Sequence, residues 1–325
     1  MKNLNWAVLG TGVIANEMAA TLEKMGKRLY AVANRTHEKA VRFGEKYGVS
    51  KVYDTMDEIF TDPNVDIIYL TTPHNTHYPF IKRALENGKH LLVEKSITLN
   101  SAELEEMVAL AAEKGLVLAE AMTIWHMPLY KKLWSIVESG ELGKVQMITM
   151  NFGSFKAYSM ENRFFNRNLA GGALLDIGVY ALSMVRSFMA KQPDRMVSQM
   201  LPAPTGVDEQ ATILLQNDLG QMATVALSLH SKQPKRAMIS CEKGYIEIME
   251  YPRGDKAIIV DAATGETREI CEGATPDALY YEMLDMEHAV LTGDQSAMLL
   301  PYTRDVMSIM TALRQAWNLT YPEEE

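Results

Sequence analysis

Up to residue 119, short apolar runs alternate with longer segments whose apolar residues recur every three or four positions. The short runs have the length of buried strands, and the longer segments have the periodicity of amphipathic helices. The predicted strands are 6–9, 29–33, 67–71, 90–93 and 116–119, and the predicted helices are 14–25, 37–47, 77–87 and 101–114. Strands that alternate with helices in this way form a parallel, doubly wound sheet.

The pattern changes after Thr123. A helix at 128–138 is followed by runs in which apolar and polar residues alternate, which is typical of strands with one buried face. The predicted strands are 147–155, 210–216, 222–229, 245–249 and 257–260, and helical patterns return at 174–189, 279–291 and 303–318. Tight connections between several strands favour antiparallel neighbours. The sequence therefore predicts an α/β domain over residues 1–121 and an α+β domain with a mostly antiparallel sheet over residues 122–325.

The composition of the chain argues against several classes of protein. The chain has 325 residues, 47% of them hydrophobic and 22% charged, as in an ordinary folded protein. The 32 lysines and arginines against 41 aspartates and glutamates give a net charge of −9, which argues against nucleic acid as a partner. The longest uncharged run, 67–81, is shorter than the roughly 20 residues of a membrane helix. Cys241 and Cys271 are interpreted as buried thiols in a reducing compartment, so we expect a cytoplasmic chain without a membrane partner.

A glycine-rich turn joins the first predicted strand to the first predicted helix. Its residues are Gly10, Thr11, Gly12, Val13, Ile14 and Ala15, the pattern G-x-G-x-x-A. Gly10 permits the sharp turn, Gly12 lets the backbone approach a pyrophosphate, and Ala15 lets helix and strand pack closely. The free N–H groups of the helix N-terminus then attract the anion. Glycines also occur at such turns for packing alone, but the strand–helix units downstream favour a Rossmann dinucleotide site that residues 10–14 contact.

The end of the second predicted strand bears on the choice of dinucleotide. A site for NAD usually has an aspartate or glutamate there, whereas this chain has Asn34 and Arg35. An arginine can pair with a 2′-phosphate, and no carboxylate is present to repel one. This favours NADP. In the alternative interpretation, Arg35 is a solvated residue at the start of a helix and Asn34 alone serves the ribose, which leaves NAD possible.

Two loops at the carboxyl ends of predicted strands carry unusual polar groups. The segment 71–77 contains Thr72, Asn75 and two histidines, and capping of the next helix accounts for only part of it. The second loop is Glu94-Lys95-Ser96. Ligands of parallel sheets lie beyond these strand ends, so Lys95 is placed to polarise a substrate oxygen or to lower the pKa of a neighbouring phenol.

The segment 171–180 of the second predicted domain reads Gly-Gly-Ala-Leu-Leu-Asp-Ile-Gly-Val-Tyr. In a helix, Asp176 and Tyr180 are four residues apart and share a face. Gly178 weakens such a helix, which indicates that cofactor or sheet approaches it closely. In the alternative interpretation, Tyr180 is a core residue that Asp176 caps. No HExxH, CxxC or GxSxG motif is present, so we expect no metal site.

These residues resemble a known family. The segments 10–15, 72–77, 94–95, 120–122 and 171–180 are similar to those of the Gfo/Idh/MocA oxidoreductases, in the same order and over essentially the whole chain. The likeness is nearest to the dihydrodiol dehydrogenase and glucose–fructose oxidoreductase branch. The resemblance implies a Rossmann domain, an open-faced sheet used for dimer or tetramer contacts, and hydride transfer between NAD(P) and a sugar, polyol or diol.

The resemblance also implies roles for single residues. Lys95 would contact the nicotinamide ribose and substrate, Tyr180 would be the acid/base, and Asp176 would orient the substrate. The residues that would line the cofactor include Thr72, Pro73, Asn75, His77 and Glu94. The chain departs from the family in two places: Ser96 replaces the proline of Glu-Lys-Pro, and no arginine follows Glu-Ala-Met closely. Arg163 is either its substitute or a surface residue. An alternative function is an NADP-binding sensor without turnover.

Overall fold

The structure, a computed structural model, describes residues 3–325, and the strands of its first sheet are all parallel. These strands are β1 Trp6–Leu9, β2 Ala31–Ala33, β3 Lys51–Val52, β4 Ile67–Leu70, β5 His90–Glu94 and β6 Leu118–Ala121. Their spatial order is β3-β2-β1-β4-β5-β6, the doubly wound order of dinucleotide-binding domains. Strands β1 and β4 are buried along their whole length, as central strands covered on both faces should be.

Apart from two short helices that were not predicted, Glu58–Thr61 and Thr123–His126, the helices lie close to their predicted positions. They are α1 Val13–Lys24, α2 His37–Tyr47, α3 Glu58–Thr61, α4 His77–Glu86, α5 Ser101–Lys114, α6 Thr123–His126, α7 Pro128–Glu138, α8 Val179–Phe188, α9 Ala278–Thr292 and α10 Leu300–Ala316. Local sequence sets their ends: the Asn100 side chain caps α5 by accepting from the Glu103 amide, and Gly115 ends that helix in the left-handed conformation.

The chain forms two structural units. The first contains the residues up to Met122 together with Pro276–Leu300, and the second contains Thr123–Thr275 and Pro301–Glu325. Residues 276–300 were predicted to lie in the second domain instead. They belong to the first unit because α9 buries Met283 and Met286 in the same core as Trp6.

The second unit contains an eight-stranded sheet. Its strands are β7 Val145–Gly153, β8 Arg195–Pro202, β9 Asp208–Gln216, β10 Met222–Ser228, β11 Gln233–Cys241, β12 Gly244–Met249, β13 Lys256–Asp261 and β14 Thr267–Cys271, in the order β14-β13-β12-β11-β7-β10-β9-β8. Neighbours are antiparallel except β7 and β10, which are parallel. The predicted fold class, a parallel sheet followed by a mostly antiparallel one, is confirmed.

The two faces of this sheet differ in burial. On one face, Ile148, Met150 and Phe152 of β7 are buried, and α8 packs against β7, β10 and β11. The opposite face exposes large apolar side chains, among them Met147, Val197, Leu214 and Met222. The sheet is therefore open-faced, as the resemblance implies.

The structure bears on the predicted burial of the two cysteines and on a long apolar helical stretch. Cys241 is half-buried and Cys271 is exposed, both as free thiols, so the interpretation of Cys271 as buried is wrong. Its strand, β14, is the edge of the sheet, and edge strands bury few side chains. The helical stretch Arg167–Phe188 is long and apolar enough to cross a membrane, but 83% of its apolar window is buried, as in the core helix of a folded domain.

Candidate active site

The glycine turn has the geometry that a pyrophosphate requires. Gly10 has a φ of +109°, and a Cβ there would lie 2.5 Å from Thr71 Oγ1, so both conformation and space demand glycine. Gly12 begins α1 with no side-chain cap, and no acidic residue lies in the first turn. A Cβ on Gly12 would meet no atom within 4 Å. The open space above an uncapped helix N-terminus fits an anionic pyrophosphate.

Asn34 and Arg35 follow β2 at the same edge of the sheet. The Asn34 side-chain amide donates to the Thr36 carbonyl over 3.0 Å, which fixes the turn into α2. Arg35 is exposed and has no ion pair with any of residues 3–325. Its guanidinium is therefore available to a phosphate.

Two histidines join the loop after β4 to the loop after β5. His74 Nε2 lies 2.9 Å from the Lys95 carbonyl oxygen. His77 Nδ1 lies 3.0 Å from the Ser96 carbonyl oxygen, and its Nε2 lies 2.8 Å from that of Thr72. The histidines that helix capping left unexplained thus fix the backbone on which Lys95 stands.

His77 is fully buried, and both ring nitrogens face backbone carbonyls. His77 therefore positions the two loops, and its contact with the cofactor stays a prediction. Burial lowers the pKa of His77 below its ordinary value, although the three carbonyls around the ring oppose part of this shift.

Further side chains fix the surroundings of Lys95. The buried Glu120 carboxylate accepts from the Ile97 amide over 3.1 Å, and the Tyr69 hydroxyl donates to Glu94. The Lys95–Ser96 peptide bond is cis. Lys95 itself is half-buried at the carboxyl end of β5, as predicted. Sequence reasoning assigned no role to Glu120, although its motif contributed to the family resemblance.

The segment of Asp176 and Tyr180 is helical, but not one continuous α-helix. Leu174–Gly178 forms a turn of π-helix, and α8 follows with Tyr180 in its first turn. Such wide turns occur frequently at functional positions. A Cβ on Gly178 would lie 2.8 Å from a methyl group of Leu227 in β10. Of the two close neighbours that Gly178 predicted, cofactor or sheet, the structure therefore shows the sheet.

Two distant side chains hold the backbone at the start of this segment. The Leu174 amide donates to Asp208 Oδ2 over 2.6 Å, and the Tyr321 hydroxyl donates to the Gly171 carbonyl over 2.7 Å. Gly172 has a φ of +128°, and a Cβ there would lie 2.1 Å from Asp208 Oδ1. We refer to Asp208 and Tyr321 as the clamp. No sequence pattern predicted the clamp, because aspartate is usually exposed.

The clamp lies in a buried polar environment. Burial raises the pKa of Asp208 to about 7, although the Leu174 amide and the Arg314 guanidinium act in the opposite direction. Arg314 in turn forms two hydrogen bonds of 2.7 Å with the Glu324 carboxylate. The C-terminal segment thereby supports the turn that carries Asp176.

The side chains of the predicted pair have different exposure. Asp176 is buried, with Arg163 Nη2 3.6 Å from its carboxylate, whereas Tyr180 is half-exposed and its ring centroid lies 6.2 Å from that of Phe152. Arg163 is therefore the neighbour of a predicted site residue. Among residues 3–325 no group of three His, Cys, Asp or Glu side chains could hold a metal ion.

Comparisons with known proteins identify the family of this chain. A model described as "Oxidoreductase family, NAD-binding Rossmann fold" matches residues 4–122, and a model of the GFO/IDH/MocA C-terminal domain matches residues 130–247. Trans-1,2-dihydrobenzene-1,2-diol dehydrogenases from Xenopus tropicalis and Homo sapiens are each 28% identical. The alignments cover 98% and 99% of this chain, respectively, and 99% of each relative.

Solved structures show the same fold. The aldose-aldose oxidoreductase from Caulobacter crescentus, complexed with glycerol, has a TM-score of 0.87 and 26% identity, with 98% of both chains covered. A 3-ketoreductase from Actinomadura kijaniata, solved with NADP and TDP-benzene, has a TM-score of 0.87 and 22% identity over 97% of this chain and 98% of its own. The chain therefore belongs to the GFO/IDH/MocA family of oxidoreductases and is an NAD(P)-dependent dehydrogenase that acts on CH–OH groups.

Proposed function

We propose that this dehydrogenase uses NADP to oxidise a secondary alcohol of a sugar, polyol or diol, or to reduce the corresponding carbonyl. The observation that carries the proposal is the fixed loop after β5, where His74, His77 and Glu120 hold the backbone around Lys95. A lysine on a surface needs no such support. The names of the relatives, which include a diol dehydrogenase and an aldose oxidoreductase, agree with this class of substrate.

Three side chains divide the work of the proposed reaction. The Tyr180 phenolate takes the proton of the substrate hydroxyl, and the Lys95 ammonium polarises the reacting substrate oxygen. Asp176 accepts a hydrogen bond from the substrate and orients it. When bound, the nicotinamide ring supplies the hydride acceptor for oxidation and the hydride donor for reduction. Residues 10–14 hold the pyrophosphate, and Thr72, Pro73, Asn75 and Glu94 line the cofactor.

Replacement of the phenol hydroxyl tests this division of work. We expect Tyr180→Phe to lower kcat at least about 100-fold, because the proton acceptor is lost, while the Kd for NADP stays within about twofold. Tyr280→Phe, a half-exposed tyrosine of α9, is the matched control and should leave both values unchanged. Full activity of Tyr180→Phe would refute the role of Tyr180. Tight NADP binding without turnover on a broad panel of sugars, polyols and diols would favour the sensor.

The preference for NADP has its own test. Arg35 is exposed, lacks an ion pair and stands where NAD enzymes have a carboxylate, so it supports recognition of a 2′-phosphate. We expect NADP to bind at least about tenfold more tightly than NAD, and Arg35→Asp to reverse this order. Competition by 2′,5′-ADP measures the same contact. Equal affinity for NAD and NADP in the wild type would contradict the preference.

We also propose that the open face of the eight-stranded sheet forms a dimer or tetramer contact. Large apolar side chains on this sheet are exposed, among them Met147, Val197, Leu201, Leu214, Met222 and Met249. Exposed apolar patches of this kind commonly mark subunit contacts. Light scattering after size exclusion should give at least twice the chain mass of 36.4 kDa, and a single-chain mass would contradict the proposal.

A further inference from the structure

A histidine held by a buried glutamate lies just beyond β10, outside the residues assigned to catalysis. His230 Nδ1 lies 3.1 Å from Glu209 Oε1, and Glu209 is 4% exposed. The Tyr158 hydroxyl donates to the same carboxylate, which raises the pKa of that phenol. Because the carboxylate accepts the Nδ1–H, Nε2 is the ring nitrogen left to accept a hydrogen bond from another group. The His230 side chain is 40% exposed, so solvent reaches this ring.

Aromatic rings stack on this histidine. The Tyr158 ring is nearly parallel to the His230 ring, at 6° and 4.1 Å between centroids. The Phe155 ring also stacks on His230, at 24° and 6.1 Å. Phe155 is 64% exposed and Tyr158 is 47% exposed. We call Phe155, Tyr158, Glu209 and His230 the His230 cluster.

The sheet places the His230 cluster near the segment that carries Asp176 and Tyr180. Strands β7 and β10 are parallel, with Gly153 paired to Ser228, so both end at one edge. The Lys156 amide donates to the Leu229 carbonyl over 2.9 Å and extends the pairing past that edge.

Contacts at this edge reach the catalytic segment. Leu227, the second-last residue of β10, is the neighbour that excludes a Cβ at Gly178. Phe152, three residues before Phe155, packs against Tyr180. The cluster and the proposed acid/base therefore belong to the same end of the sheet.

A purely structural role does not account for this arrangement. A half-exposed histidine paired with a carboxylate adds little to stability, whereas a buried carboxylate is costly unless it is well paired. Exposed aromatic rings leave apolar area in water. Here a buried carboxylate fixes the tautomer of an accessible imidazole that lies beside exposed aromatic rings. This arrangement is typical of a preorganised binding site.

We propose that the His230 cluster recognises the substrate and that it selects a cyclic compound with several hydroxyl groups. The exposed aromatic faces pack against the C–H face of a sugar-like ring, and His230 Nε2 accepts from a hydroxyl other than the one that reacts. This inference rests on the proposed function and deepens it by naming the substrate class and the residues that select it.

Substitution of His230 by phenylalanine tests the hydrogen bond while it keeps a ring for stacking. For D-glucose and myo-inositol, His230→Phe should raise KM about tenfold or more and change kcat less than about threefold. For trans-cyclohexane-1,2-diol, which has no hydroxyl beyond its diol, KM should stay unchanged. Glu209→Gln should raise KM for the two polyols less than His230→Phe does. His288→Phe, an exposed histidine of α9, is the matched control and should change neither constant.

Direct binding separates this inference from the proposed reaction. Saturation-transfer NMR with D-glucose and myo-inositol, in the presence of NADP, should show binding to the wild type and much weaker binding to His230→Phe and Phe155→Ala. Thermal melting confirms that both variants fold. Binding without turnover in the wild type would refute the proposed function and leave the recognition role standing.

Three outcomes would overturn the recognition role. They are an absence of polyol binding to the wild type, equal binding by the wild type and His230→Phe, and a fall in molar mass of Phe155→Ala with unchanged KM. The last outcome would identify the His230 cluster as a subunit contact instead.

Discussion

The loop that carries Lys95 and the turn that carries Asp176 are both fixed by buried polar side chains, but these side chains differ in kind. Imidazoles hold the Lys95 loop, with His77 between the carbonyls of Thr72 and Ser96. A carboxylate and a phenol hold the Asp176 turn, through Asp208 and Tyr321.

This difference gives the two supports opposite responses to pH. Burial lowers the pKa of His77, so its support is complete above 6.5 and is lost as pH falls below 6.5 towards the lowered pKa. Burial raises the pKa of Asp208 from 3.8 to about 7, so the contribution of Asp208 to the free energy of unfolding is greatest below pH 3.8 and is lost as pH rises through about 7. The two supports are therefore at their strongest on opposite sides of neutrality.

The largest expected effect comes from filling the space beside Asp208. In Gly172→Ala, the new methyl group would overlap Asp208 Oδ1 and stand at a φ of +128°, so we expect a loss of roughly 5 kcal/mol in the free energy of unfolding. Gly206→Ala is the matched control, with a φ of +88° and no atom within 4 Å of the added Cβ. Equal urea midpoints for the two variants would show that Asp208 does not confine Gly172.

Asp208→Asn should remove the pH response of the Asp176 turn. The wild type should lose up to about 4 kcal/mol relative to this variant between pH 4 and 8, since a pKa difference of about three units corresponds to that energy. Charged and titratable groups near the carboxylate are Arg314, Tyr321 and Glu324, and they remain in both proteins. Hydrogen exchange of peptides that span residues 171–180 measures the change locally. Parallel stability profiles of the two proteins would contradict it.

His77→Gln should produce the opposite profile in the Lys95 loop. We expect a loss of about 2 kcal/mol above pH 6.5, because the buried imidazole between the carbonyls of Thr72 and Ser96, which donates from one ring nitrogen when neutral, is lost. The loss should shrink below pH 6.5, where the wild type itself is destabilised. Hydrogen exchange of peptides that span residues 72–97 reports it. A loss that grows towards acid pH would show that His77 is charged in the folded state.

Gly12→Ala should have the smallest effect on stability and sharpen the contrast with Gly172. Gly12 has a φ of −73° and its Cβ would occupy open space, so the melting temperature should hardly change. The Kd for NADP should rise about tenfold, or about 1.4 kcal/mol, because the methyl group stands where the pyrophosphate approaches. Unchanged affinity would place the pyrophosphate elsewhere.

The fold was largely predictable where local signals agree. Strand β1, the glycine turn and α1 follow from one G-x-G-x-x-A pattern, and α2 and α5 have the predicted bounds. Strands β3, β8, β11 and β14 were missed. Strand β8 is an edge strand with little burial, and β11 begins with Gln-Pro-Lys-Arg. Their pairing with distant strands, which overrides weak local propensity, is not visible in a short window.

The chemistry of the site was predictable in part for a similar reason. Lys95 and the 71–77 loop were identified because ligands of parallel sheets bind beyond the carboxyl ends of the strands. The strand ends can be located from the residues next to them in the sequence. The clamp and the His230 cluster join residues far apart in the chain, such as Asp208 with Leu174 and Tyr321 with Gly171. Buried acids such as Asp208 and Glu209 are also indistinguishable from surface acids in the sequence.

The inclusion of Pro276–Leu300 in the first unit has a consequence for protein engineering. A gene fragment that stops at Met122 would omit α9 and leave Trp6 without Met283, Met286 and its hydrogen-bond acceptor Glu287. Chimaeras that exchange the nucleotide-binding module between relatives must therefore transplant two separate stretches of coding sequence, and a crossover at residue 122 alone would yield an incomplete core.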